Sequence, residues 1–192
     1  MKRRNLVLSF LLAASLSSLP RPAQGRAVMP SLEALAKSAK VIVVAQVEKV
    51  VDETPEGGAG ASGVRDLYWE RRVASARVLE VWKGTADERV RFRASRTWSC
   101  DVSTAVKGET VVLFLVDDPK DTLMAIAYSG IGRLPVVNNE GRPTVHLYRG
   151  LLTKEIKKLI GVPEETFASH VDVALLRQQV QQLAQANTSA AK

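Results

Sequence analysis

Between residues 41 and 147 apolar and polar positions repeat mostly with a period of two, and helical spacing appears only on the two flanks. On the first flank, Pro30 to Lys40 offers Ser31 as a cap and places Leu32, Leu35 and Ala39 at helical intervals, which predicts a short helix. It leads directly into the β-branched run Val41 to Val47, whose Val41, Val43, Ala45 and Val47 share one face of a first strand. Asp52 to Val64 contains Pro55, Gly57, Gly58, Gly60 and Gly63 and predicts a loop. Leu67 to Trp82 is a long extended stretch with apolar residues on both faces. A strand of that length must bend, so a bulge is expected near Glu80, and Lys83-Gly84 predicts the turn. Arg89 to Ala94 has the cleanest alternation, with Val90, Phe92 and Ala94 on one side and Arg89, Arg91 and Arg93 on the other.

After a loop through Cys100, Lys107-Gly108-Glu109 turns into the buried strand Thr110 to Val116, which Asp117-Asp118-Pro119 ends. Leu123 to Tyr128 predicts a fifth strand, and a hairpin pairs Leu134 to Val137 with Pro143 to Leu147 about residues 138–141. Lys154 to Ile160 predicts a helix that buries Ile156, Leu159 and Ile160 and stops at Gly161. A further helix is expected from Pro163-Glu164-Glu165, its apolar stripe Val173, Leu176, Val180 and Leu183 docking on the barrel or on a second chain. The predicted fold is mostly β: a small five-stranded barrel of OB (oligonucleotide/oligosaccharide-binding) type with a C-terminal β-hairpin and flanking helices, the alternative being an open sandwich of the same strands. Its divisions are an export signal over 1–25, the barrel domain over 30–150, a helical appendage over 151–186 and a disordered tail over 187–192.

The N-terminus changes how the composition is read. Lys2, Arg3 and Arg4 precede an uncharged apolar stretch from Leu6 to Leu19, and Ala23-Gln24-Gly25 offers small residues at the two positions a signal peptidase reads. The stretch falls short of the roughly 20 residues needed to cross a bilayer. Cleavage near Gly25 and a periplasmic or secreted product, not membrane-spanning, are therefore expected. Removing Lys2, Arg3, Arg4 and Arg21 lowers the formal charge from +7 by four, to +3. That mild balance does not call for a polyanionic partner. Export and an aromatic content of 5 % argue against nucleic acid.

The order of motifs carries a resemblance. "VIVVAQV", "ASARVLEVWKG", "VRFRAS", a cysteine loop and "KGETVVLFLV" follow one another, the most telling piece being Val78 to Gly84 followed, after Cys100, by Gly108 and the run Val111 to Leu115. Over about Ala34 to Arg133 this resembles the group of netrin modules and tissue inhibitors of metalloproteinases. The resemblance implies an OB-type barrel and an exported, non-catalytic module that binds another protein. Animal inhibitors of that kind chelate a protease zinc with an N-terminal cysteine. Here the expected mature start is Arg26-Ala27-Val28 and no cysteine precedes position 100, so protease inhibition is not carried over.

Candidate chemistry is sparse. Cys100 is the lone cysteine and cannot form an intrachain disulfide, which leaves a free thiol or an intermolecular bond. Pairing it with His146 or His170 as nucleophile and base lacks any recognisable supporting residue, so no enzyme activity is expected. The two histidines, 24 positions apart without a carboxylate at ligand spacing, predict no zinc site. Asp117, Asp118 and Asp121 lack the ligand order of a calcium loop and read as a polar turn. No cofactor or metal is expected. The candidate ligand surface is an arginine stripe of Arg89, Arg91 and Arg93 with Arg77 beside it and Arg96 and Trp98 following. Guanidinium groups and an indole suit an acidic protein patch or, alternatively, an anionic glycan or lipid.

Overall fold

The computed structural model describes residues 29–53, 72–94, 105–118 and 122–189. The expected export signal, most of the glycine-rich loop, and Arg96, Trp98 and Cys100 lie outside the described residues.

Five strands close a barrel: β1 (Val41–Asp52), β2 (Arg72–Lys83), β3 (Arg89–Arg93), β4 (Thr110–Asp117) and β5 (Met124–Ile126). Their order is β1-β2-β3-β5-β4, and β4 pairs back onto β1 from Val41↔Leu115 to Gln46↔Thr110. The β3–β5 pairing is parallel, Phe92 to Met124 and Arg93 to Ala125, and the other barrel pairs are antiparallel. This is the expected small, mostly β, OB-like barrel.

The bend in β2 falls where the sequence places it. Val43 pairs with Val81, Val44 with Glu80 and Ala45 with Val78, so Leu79 is an extra residue beside Glu80; Trp82 is another beyond Val81. These extra residues interrupt the alternation of β2: Trp82 is buried in the layer outside the barrel, and Leu79 and Val81 are exposed.

Two hydrophobic layers explain why β1 and β4 read as continuous apolar runs. Val41, Val43, Ala45 and Val47 face the barrel interior with Ala74, Ala76, Phe92, Val111, Leu113 and Leu115. Ile42, Val44, Val112 and Phe114 face outward and meet Trp82 and the flanking helices. Among the described residues the only buried polar residue is Thr144, outside the barrel, so aliphatic side chains and Phe92 fill the barrel interior.

The outer layer begins with α1 (Leu32–Ser38), capped by Ser31, which accepts from Ala34 N at 3.0 Å. Its other end is held from a distance in sequence. Lys83 Nζ donates to the carbonyls of Ala36 at 2.6 Å, Ala39 at 2.5 Å and Lys37 at 3.3 Å, a cation placed on the negative end of the helix. Partial burial draws the Lys83 pKa below the ordinary lysine value. Gly84 next to it has φ +76° and lies against the Lys40 carbonyl. The Lys-Gly turn thus ties the end of β2 to the helix that precedes β1.

Beyond the barrel, β6 (Arg133–Asn139) pairs with β4, then with β7 (Arg142–Tyr148), which in turn pairs with β8 (Ala168–Asp172). The hairpin turn is tighter than residues 138–141: Asn138 and Asn139 stay in the strand, and Glu140 and Gly141, both at positive φ, make a two-residue turn. After a 3₁₀ turn at Arg149–Leu151 comes α2 (Lys154–Leu159), with Thr153 as its cap. Ile156 is buried there, but Leu159 is 57 % exposed, contrary to expectation, because so short a helix turns only one residue fully inward.

The helix expected from Pro163 starts later. Residues 168–172 form a strand because β7 offers an open edge and Val171 fills the outer layer, while Asp172 caps the helix by accepting from Ala174 N at 2.7 Å. The helix α3 (Val173–Ser189) then buries Leu176 and Val180, with Val173 and Leu183 packed alongside. Its stripe docks within the chain, in the same layer as α1, and Arg177 pairs with Glu80 on β2. The helix continues past 186 to Ser189. No helix among the described residues is long and apolar enough to cross a membrane.

Candidate functional site

Antiparallel pairing of β2 and β3 determines which arginines meet. Arg77 stands opposite Arg89, Ser75 opposite Arg91, and Val73 opposite Arg93. Since Val90 and Phe92 point inward, all four arginines share the outer wall of β2 and β3. Sequence alternation predicts this clustering. Arg96 and Trp98, expected to extend it, are outside the described residues.

The stripe is not a bare cationic surface. β1 contributes carboxylates to it: Glu48 lies 3.0 Å from Arg89 Nε and 3.7 Å from Arg77 Nε, and Glu53 beyond the strand lies 3.2 Å from Arg91 Nη2. Arg77 also donates to Gln46 Oε1 at 3.0 Å, and Arg93 pairs with Asp118 at 3.0 Å. The hydrogen bond from Arg89 to Glu48, then the attraction between the two charges, raises the Arg89 pKa further. Arg77, Arg89 and Arg91 remain exposed and Arg93 is partly buried. The face is therefore a lattice of alternating charges with Lys49 and Ser75 between them.

Two depressions adjoin this lattice. One, of about 250 Å³, lies between β1 and β2 and is lined by Lys49, Val51, Glu53, Val73, Ser75 and Arg91. The other, of about 510 Å³, opens where β3 and β5 part; Arg89, Arg91, Asp87 and Thr122 rim it, above Val90 and Met124. Arg91 borders both, which makes it the centre of the surface.

The aspartates of the expected polar turn are used structurally. Asp117 takes both oxygens to Lys40 Nζ at 2.9 Å, and Asp118 holds Arg93; Asp121 is outside the described residues. Among the described residues no group of three or more His, Cys, Asp or Glu could hold a metal ion.

The structure also joins groups that sequence spacing kept apart. His146 and His170 are direct cross-strand partners in β7 and β8, with ring centres 5.1 Å apart. Arg133 and Glu109 form a nearly buried two-point ion pair, Nε to Oε1 at 3.0 Å and Nη2 to Oε2, and Glu109 Oε1 also accepts from Val106 N at 2.9 Å. Both depend on strand register, and no local pattern announces them.

The fold and this surface define a barrel module with a charge-laced outer wall and an apolar interior. No protein-family model matches the chain, and no curated protein matches it either.

Proposed function

We propose that this protein is an exported, non-catalytic binding module that engages another protein through the outer wall of β1, β2 and β3. One observation carries the reading: four arginines converge on the wall that OB barrels commonly use for ligands, and carboxylates hold them in place. Prepaired guanidinium groups are rigid, and mixed charge suits a protein surface, which also offers both signs. The resemblance to netrin modules and metalloproteinase inhibitors points the same way.

The alternative is an anionic glycan or lipid held by the same arginines. It is weaker, because a polyanion must displace Glu48, Glu53 and Asp118, or repel them. Affinity capture from the extracytoplasmic fraction, with the wild type compared with Arg91→Glu plus Arg93→Glu, tests the proposal. The expected result is a protein retained by wild type and lost with the double variant. A ligand that elutes uniformly with rising salt and contains no protein would favour the alternative; equal retention by both forms would remove this face from consideration.

A further inference from the structure

A second candidate lies on β7 and β8 and does not depend on the arginine wall. We propose that His146 and His170 form a two-histidine chelate for a borderline divalent cation, Zn²⁺, Ni²⁺ or Cu²⁺.

The strand register puts the two residues directly opposite each other, so both imidazoles leave the same face of the sheet, and both are exposed. Their ring centres are 5.1 Å apart, with planes tilted by 40°. Two imidazoles bonded to one tetrahedral ion at about 2.0–2.1 Å would have ring centres about 5 Å apart. The separation of the ring centres is therefore that of two imidazoles sharing one ion.

One ring also has a supporting contact. Thr144, the buried polar residue beside the pair, donates its hydroxyl to Val137 O at 3.3 Å. Its oxygen also lies 3.5 Å from His170 Nδ1; a proton carried on Nδ1 would be donated to it, leaving the Nε2 lone pair for a metal. The same face lines an open groove of about 650 Å³ with Pro135, Val137, Tyr148 and Phe167. With two protein ligands, the remaining coordination positions open towards this groove and are filled by water or by a donor group entering it. The charged and titratable groups on this face are Arg133, held by Glu109, together with Arg142, Tyr148 and Asp172, whose carboxylate caps α3.

Untagged protein is titrated with Cu²⁺ and followed by electron paramagnetic resonance, and with Zn²⁺ followed by calorimetry. The expected result is one ion per chain, with Cu²⁺ showing hyperfine coupling to two nitrogens. His146→Gln and His170→Gln should each weaken binding by about tenfold or more, and Thr144→Val by about tenfold, as for a residue that orients a ligand. Both histidines are exposed, so unchanged circular dichroism in the glutamine variants shows that the loss is local. Binding that survives both glutamine substitutions, or a Cu²⁺ signal with one nitrogen or with sulfur, overturns the proposal.

Discussion

Replacing Gly84 by alanine should be among the most damaging single-methyl changes in this chain. An ideal Cβ at this position would lie 2.4 Å from the Lys40 carbonyl oxygen, 3.4 Å from its carbon and 3.4 Å from a methyl of Val41. The oxygen belongs to the backbone where α1 passes into β1, and Lys40 N is fixed by Leu115 O at 2.8 Å, so it has little freedom to retreat. Holding an L-residue in the left-handed region costs about 1–2 kcal/mol. Forcing an extra methyl into a packed junction adds about 1–3 kcal/mol. Restricting the unfolded chain returns about 0.4–1 kcal/mol. The net loss is therefore about 1–5 kcal/mol, centred near 3. Gly108 supplies the control, since its φ is +90° but nothing lies within 4 Å of a Cβ there. Gly108→Ala should cost about 1 kcal/mol, the conformational part alone. Urea unfolding followed by far-ultraviolet circular dichroism gives both values as midpoint shifts at constant slope. Equal losses for the two variants would refute the argument that the Lys-Gly turn is pressed against the start of β1.

Other consequences follow from named contacts. Lys83→Met should destabilise the fold by about 1–2 kcal/mol, because three carbonyls at the end of α1 lose their cation; thermal unfolding measures it. Arg133→Met should cost about 3 kcal/mol by stranding the Glu109 carboxylate, and adding Glu109→Met should recover most of that loss in a double-mutant cycle. Glu155 is held below the ordinary glutamate pKa by hydrogen bonds at the start of α2, from its own backbone and then Thr153, and Glu164 is held low by its hydrogen bond to Lys154. Folded values below the unfolded ones mean that these groups support the fold above the usual glutamate range, and that the support is lost as pH falls through the folded values. Lys154→Met should raise the Glu164 pKa towards its ordinary value in a carbon-detected NMR titration and leave that of Glu155 nearly unchanged.

The barrel was legible because its strands each announce a face. The alternation in β3 separates Arg89, Arg91 and Arg93 from Val90 and Phe92, and that separation alone brings the arginine wall together. The bulge beside Glu80 could be foreseen from a strand too long and too apolar on both faces to remain flat. The carboxylates that thread the wall could not. Glu48 reaches it only because β1 has its own irregularity between Val47 and Lys49, and Asp118 only through the β4–β5 connection. The strand β8 was hidden for a different reason. Ala168 to Asp172 has a single large apolar residue, Val171, and its form is set by the β7 edge rather than by local preference. With β8 unseen, the histidines stayed 24 positions apart in the sequence, though strand register makes them neighbours.

The claim that the β1–β2–β3 wall is where another protein docks can be tested from its middle. Ser75 sits opposite Arg91 and lines the smaller depression, so it carries the photoreactive side chain; Leu159, exposed on α2, serves as the remote position. Irradiating the protein in intact cells should join the Ser75 probe to one discrete protein, with no adduct from the Leu159 probe and none from Ser75 once Arg91 and Arg93 are reversed in charge. The same adduct from both positions, or one from Leu159 alone, would contradict it.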